Sequence, residues 1–496
     1  MRLHPPSSRV QAAIALIALL GAFLRAIPAF APLPFAHNSD EARHIEAIWT
    51  MAQNHSMDST VYSYPALFFN AEAVLTTVFS AVTGLSGSPV ETSSLVAIRI
   101  TNVPSVVLMR TFSLAASTAT VAAAALLARR LSGRDGAAIL AAALAALNPL
   151  DIRLGGTVTV DPLAGMLATT ALLGATGYVI RPARWKVGAT GVVFGLAVAA
   201  KYNAALLGPG LIVAVLLVKG KRAWSTIAGL CAAIIGGFAV ASPQVLADLP
   251  TYWAWFRGEQ THYRSGHPGY EGGALTYYLT TSWWMVGPAL AAIPVLVLMR
   301  RSSARVWLPA IVSCVGYVGF LSTYTTRFDR NLLVVSGLLA ALSAAGLTAL
   351  SDAAPLRRSL IAFGALALAV PAMFASQAVS KSLQDPWTAA RNFIEESIPE
   401  GSSLAVESYG PWLPPNSYDI VPLAQAIDVP LDWYTESGID FLITSDEVRG
   451  RYESGQYPEQ MFRYDILFAA TCLIETFDSE AMSIEIRSIA STTNCQ

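Results

Sequence analysis

VQAAIALIALLGAFLRAIPAFAPLPFAHNSDEARH, running from Val10 to His44, is the stretch that decides how the rest of the chain is read. It opens as an apolar run behind Arg2 and Arg9. It closes on two adjacent carboxylates, Asp40 and Glu41, followed by Arg43 and His44. A bilayer is crossed by about 20 apolar residues, and this run supplies them. No clean small-x-small cleavage site follows, and Pro28 and Pro34 bracket the exit, so the run is expected to be an uncleaved first transmembrane helix. Ionisable side chains beside a bilayer are costly and mark function by default. Ile45, Ile48 and Met51 then give an apolar stripe at helical spacing. That stripe predicts a helix on the membrane surface, its acidic start pointing at the bilayer edge. Adjacent side chains diverge on a helix, so one of Asp40 and Glu41 is expected to face a cavity and the other to bind a neighbour. A carboxylate facing a cavity there can take a proton from an attacking hydroxyl.

Working outward, the 496 residues are 54% hydrophobic and 13% charged, whereas a soluble chain carries about 25% charged residues. The fold class is therefore mostly α, a polytopic membrane protein. About eleven spans are expected: Val10–Pro28, Val106–Ala128, Gly136–Leu150, Leu163–Val179, Val187–Ala200, Tyr202–Val218, Ala223–Pro243, Tyr277–Met299, Val306–Thr323, Leu332–Leu350 and Leu360–Ala378. Basic residues gather in alternate loops, at Arg129, Arg130 and Arg134, at Arg181, Arg184 and Lys186, at Lys219, Lys221 and Arg222, at Arg300, Arg301 and Arg305, and at Arg357 and Arg358. The positive-inside rule puts all of them, with the N-terminus, in the cytoplasm of a multi-pass cell-membrane protein. Residues 1–379 then form the membrane domain, with external loops at about 29–105 and 244–276. Residues 380–496 form an external α/β domain. It is expected to hold helices at Pro386–Ser397 and near Tyr457–Ala470, and strands at Ser403–Ser408, Asp440–Ser445, Cys472–Phe477 and Ser483–Arg487. Cys231 and Cys314 lie in apolar spans, and Cys472 and Cys495 are candidates to pair in an oxidising compartment.

Other charges fall at the external ends of spans. Arg153 and Asp161 flank one turn, Lys201 sits between two spans, and Arg327, Asp329 and Arg330 open another. Converging cations suit an anionic head group. The second loop carries Arg264, His267, Tyr270 and Glu271 in a Gly- and aromatic-rich segment that suits a cover over substrate. Two histidines and a glutamate there match no standard metal spacing, so no cofactor is expected to be required and a divalent metal is the lesser alternative. No nucleotide-binding glycine fingerprint or P-loop occurs, so the donor is expected to be carried in the membrane.

These residues resemble the GT-C superfamily of membrane glycosyltransferases, in particular relatives of the protein O-mannosyltransferases and the lipid A aminoarabinose transferases. Asp40-Glu41-Ala42-Arg43 is similar to the Asp-Glu-x-Arg motif of the second branch, and Asp40-Glu41 with His44 to the Asp-Glu-x-x-His of the first. Tyr64-Pro65-Ala66-Leu67 resembles their x-Pro-Pro-Leu motif, with Tyr64 where the aminoarabinose branch has lysine and Ala66 for the second proline. The likeness continues through Asn148–Leu154, Thr159–Pro162, Ala200–Asn203 and Arg327–Leu333. It implies a GT-C fold and a polyprenyl-phosphate sugar donor. It also implies inverting transfer to a glycan, lipid or protein acceptor at the external face, with Asp40 as catalytic base beside Glu41. Arg43 inherits phosphate contact, with Lys201, Arg264, Arg330 and Arg153 as further candidates. His44, Tyr64, Asp161, His267, Tyr270, Glu271 and Arg327 are the substrate-binding candidates. Membrane lipids are expected partners and nucleic acid is not. The competing readings are a transporter or flippase of a lipid-linked sugar, whose charges would sit near the bilayer midplane, and a polysaccharide polymerase.

Overall fold

The computed structural model describes residues 6–36, 39–92, 98–294, 304–350, 357–453, 455–479 and 482–489. His37, Asn38, Arg2, Arg300, Arg301, Met299 and Cys495, which figure in the sequence reading, lie outside them. The membrane portion is helical throughout: α1 (Ser8–Phe30), α2 (Ser39–Asn54), α3 (Leu67–Thr83), α4 (Val103–Ser132), α5 (Asp135–Ala146), α6 (Pro149–Leu154), α7 (Asp161–Ile180), α8 (Arg184–Ala200), α9 (Gly208–Lys219), α10 (Trp224–Ala241), α11 (Pro243–Ala247), α12 (Leu249–Ser265), α13 (Ala274–Val286), α14 (Ala304–Leu321), α15 (Ser336–Leu350) and α16 (Arg357–Leu383). Among the described residues, seven helical stretches are long and apolar enough to cross a membrane. The other expected spans fall on α5, α8, α13 and α14, of 12, 17, 13 and 18 residues. The figure of about eleven spans therefore rests on the loop charges. The expected span from Tyr277 is cut short at Gly287-Pro288, where a 3-10 turn replaces α13, as the missing proline N–H and a positive-φ glycine require.

The long loop between α1 and α4, expected to be external, is folded. Phe35–Ala36 (β1), Val90–Thr92 (β2) and Ile98–Ile100 (β3) form a small antiparallel sheet in the order β1-β3-β2. The sequence reading places no helix at α3. That helix buries Phe68, Phe69 and Ala73 but exposes Val74, Val78 and Val82, an outer apolar stripe suited to a membrane interface.

The tail is an α/β unit. It contains α17 (Pro386–Ser397), β4 (Ser403–Glu407), β5 (Asp419–Leu423), α18 (Leu431–Glu436), β6 (Phe441–Ser445), α19 (Asp446–Arg449), α20 (Pro458–Ala469), β7 (Cys472–Asp478) and β8 (Ser483–Ser488). The sheet order is β5-β4-β6-β8-β7, with β5, β4 and β6 parallel and β8 and β7 antiparallel. The expected helices and strands all occur. The sequence reading places no strand at β5, which contains Pro422, a residue that a sheet tolerates at an edge, where β5 lies. Cys472 is disulfide-bonded.

Candidate active site

The α2 helix turns the two carboxylates in different directions. Glu41 lies one turn before Ile45 and shares its buried face with His44, Ile48 and Met51. Its oxygens accept from Arg110 Nε and Nη2, each at 2.9 Å, and from the Val158 backbone N–H at 3.0 Å. Both partners of the ion pair are 3% exposed, and Arg110 also donates to the Ala29 carbonyl at 2.6 Å. His44 holds the same residue by its carbonyl, its Nδ1 lying 2.8 Å from the Val158 carbonyl oxygen. A carbonyl only accepts, so Nδ1 carries the proton. Burial lowers the His44 pKa to about 4, which keeps the ring neutral. Its ring stands edge-on to Tyr64 and Phe69, at 5.5 and 5.2 Å between centroids. Glu41 and His44 thus dock α2 onto the turn before α7. Glu41, a catalytic candidate on the sequence reading, also lines the cavity described next, and its carboxylate accepts these three hydrogen bonds from buried donors.

Asp40, one residue earlier, lines a cavity of about 1240 Å³ between the helix ends and the tail. It pairs with Arg330, and both side chains are 32% exposed. Arg330 was a phosphate candidate, and the structure places it on the proposed base. Arg153 pairs with Asp329 from the same 3-10 segment, Asp329–Val335. Lys201 lines the cavity too. It is already paired: its Nζ donates to Asp161 at 2.5 Å and to Asn331 at 3.2 Å, and it is 6% exposed. Asn331 also meets the Tyr263 hydroxyl at 3.3 Å, while its carbonyl accepts from Tyr317 at 2.6 Å. Asp161 therefore serves Lys201 rather than an open surface. Arg43 is the phosphate candidate that lines the cavity with no ion-pair partner among the described residues, and its guanidinium stands 5.8 Å from the Trp255 ring centroid.

The turn that α2 grips is built for close approach. A Cβ on Gly156 would lie 2.4 Å from that of Ala29, and one on Gly155 would lie 2.3 Å from the Asp151 carbonyl oxygen. Below it, the buried Arg25 ties α1 to Ser117 at 2.8 Å and to the carbonyls of Ala145 and Ala146 at 2.7 and 3.0 Å.

Of the second-loop candidates, His267 and Tyr270 line the cavity against Phe328. Arg264, Glu271 and Arg327 are not among its lining residues. Arg264 is exposed at the end of α12. Glu271 accepts a hydrogen bond from Tyr457 of the tail. Arg327 stacks on Tyr277 at 4.7 Å. His262 lies edge-on to His267 at 5.2 Å. The sequence reading also missed the tail side of the cavity, where Lys381, Gln384, Trp387, Tyr409, Glu447 and Arg451 complete the wall. The tail reaches this position through Arg391 over Phe35 at 4.2 Å and Arg99 over Trp412 at 5.2 Å.

Solved structures share this architecture. The oligosaccharyltransferase AglB from Archaeoglobus fulgidus, in complex with an inhibitory peptide and a dolichol-phosphate, superposes with a TM-score of 0.57 at 12% identity over 94% of this chain and 73% of its own. ArnT from Cupriavidus metallidurans bound to undecaprenyl phosphate gives 0.55 at 13% identity over 98% and 99%. The chain has the GT-C fold. The family model for dolichyl-phosphate-mannose-protein mannosyltransferase matches residues 96–246, a segment within which Arg110, Arg153, Asp161 and Lys201 fall. No curated protein matches the chain in sequence.

Proposed function

We propose that this protein is a multi-pass membrane glycosyltransferase that moves a hexosyl or pentosyl group from a polyprenyl-phosphate donor to an acceptor hydroxyl. The observation that carries the reading is Asp40: a carboxylate held by Arg330 at the wall of a large cavity, beside aromatic and basic side chains, where the adjacent Glu41 is fully engaged in the fold. The match to a mannosyltransferase family model and the fold shared with ArnT and AglB support it.

In this scheme the acceptor hydroxyl approaches the anomeric carbon from the face opposite the lipid phosphate. As the new C–O bond forms, Asp40 takes the hydroxyl proton and the bond to the phosphate breaks, inverting the centre. Charge builds on the departing phosphate, and cations already aimed at it stabilise the transition state more than the ground state. Arg43 is the leading cation, with Lys201 and Arg153 behind it in the same wall. Arg330 orients Asp40. Neutralisation by these side chains removes the need for a divalent metal. The apolar and aromatic residues Leu206, Phe256, Phe320 and Leu321 give the cavity a side suited to a prenyl chain. The site faces the exterior of the cell membrane, with the N-terminus cytoplasmic and the tail external, as the loop charges require. Mass spectrometry of cells lacking the protein tests the reading: one lipid-linked sugar accumulates and one glycoconjugate loses a residue, whereas unchanged profiles for both would refute it.

A further inference from the structure

The tail domain turns the carboxyl ends of its parallel strands toward the cavity. Open α/β sheets bind ligands outside the carboxyl ends of their strands. Strand β4 ends at Glu407 and runs directly into Ser408 and Tyr409, and β6 ends at Ser445 and runs into the turn that carries Glu447 and Arg451. Tyr409, Glu447 and Arg451 all line the cavity. One buried carboxylate fixes both strand ends: Glu407 accepts from the backbone N–H groups of Ala426 at 2.7 Å and Ser445 at 3.0 Å, and from the Tyr464 hydroxyl. Tyr409 is held at φ +66°, and its carbonyl accepts from the Trp387 indole at 2.8 Å.

Arg451 is set but unspent. Its guanidinium stands 5.3 Å from the Tyr409 ring centroid. Its backbone packs so close to Gly269 (φ +82°) that a Cβ there would lie 2.9 Å from the Arg451 Cα. Its Nε is buried with no hydrogen-bond partner, a costly state if nothing ever fills it. Glu447 and Lys381 likewise form no ion pair among the described residues, in contrast with the paired charges of the helix side. The wall therefore offers donors and acceptors of both signs beside the Tyr409 and Trp387 rings, with the Arg451 guanidinium over one face of Tyr409. Balanced donors and acceptors suit hydroxyls, which both give and take hydrogen bonds. Aromatic faces suit the apolar faces of a sugar ring. A polyanion would meet Glu447, and an extended peptide finds no free strand edge in this wall, since β4 and β6 are interior strands.

We infer that the carboxyl-end loops of the tail sheet form the acceptor subsite, that the acceptor is an uncharged carbohydrate, and that Arg451 is its specificity-determining residue. This rests on the transferase reading of the cavity. The test presents the full-length protein in lipid nanodiscs to arrays of neutral oligosaccharides, acidic oligosaccharides and peptides, and measures undecaprenyl phosphate binding in parallel. Wild type is expected to retain neutral oligosaccharides. Arg451→Met should weaken retention roughly tenfold or more, the scale of a lost charged hydrogen bond, and leave undecaprenyl phosphate binding unchanged. Glu447→Gln, which keeps the wall's shape, should weaken retention by a smaller factor. Retention of peptides or acidic glycans alone, no retention of neutral glycans, or equal retention by wild type and both variants would overturn the inference. Neutral glycans retained without any binding of undecaprenyl phosphate would instead count against the transferase reading and leave the subsite standing.

Discussion

The two walls of the cavity are built on opposite plans. On the helix side nearly every charge is already answered: Glu41 by Arg110, Lys201 by Asp161, Arg153 by Asp329 and Asp40 by Arg330. On the tail side Arg451, Glu447 and Lys381 have no ion-pair partner among the described residues. Charges at the edge of a low-dielectric membrane are stable only when paired and hydrogen-bonded, and the helix wall follows that rule. The tail wall, expected to lie outside the bilayer, can leave its polar groups open for a ligand. On the proposed reading, the reaction falls on one wall and acceptor recognition on the other.

The largest expected effect breaks the comparison inside the helix wall itself. Asp40→Asn keeps the size of the side chain and its link to Arg330 but removes the base. Turnover should fall by about 10²–10⁴-fold while donor binding and the unfolding midpoint hold. A folded Asp40→Asn protein with near-normal turnover would remove Asp40 from the chemistry. Glu41→Gln is expected to behave in the reverse way. It leaves Arg110 buried beside a neutral group, at a cost of about 3–5 kcal/mol, read by chemical denaturation in detergent. Unchanged stability with lost turnover would make Glu41 the reacting group. Arg43→Gln should leave the unfolding midpoint alone, raise the apparent KM for donor and lower turnover, since its charge matters most as the phosphate leaves.

The smallest effect is one of pH and has opposite signs in the two regions. His44 is held neutral with a pKa of about 4 against an ordinary 6.5. Its contribution is full above pH 6.5 and is lost as pH falls toward 4. Burial raises Glu407 to about 7 from 4.5, so its contribution is full below 4.5 and is lost as pH rises through 7. Between pH 8 and pH 6, each amounts to about 1 kcal/mol. Hydrogen exchange should show α2 loosening and the β4–β6 pair tightening over that range. Parallel behaviour of the two would contradict the burial of one group or the other.

Much of this was legible in the chain because hydropathy and loop charge are local signals. The apolar helices, the folded tail and even the limits of α17 follow from runs of residue type, whereas the number of spans does not. The division of labour between Asp40 and Glu41 was half legible: Glu41 stands four residues before Ile45, on the stripe that defines the buried face, which was the available sign that it points inward. Its partner Arg110 lies 69 residues away, inside a helix that looks uniformly apolar, and no local pattern reports such a pair. Arg330 and Lys201 were found as cations, yet their partners Asp40 and Asp161 come from other loops, so their roles could not be read from neighbours. Arg451 sits in a plain Gly-Arg-Tyr turn. Only the strand order, which brings the ends of β4 and β6 together over the cavity, gives it meaning.

The most direct test of the account is the fate of a labelled donor. Purified protein in nanodiscs is given undecaprenyl-phosphate hexoses and pentoses labelled in the sugar, with cell-derived acceptor, and the lipid and glycan products are separated. The account predicts free undecaprenyl phosphate in step with label in the acceptor, the new linkage inverted, and neither product with Asp40→Asn. Label that stays on an intact lipid phosphate while crossing the bilayer, or a linkage of retained configuration, would contradict it.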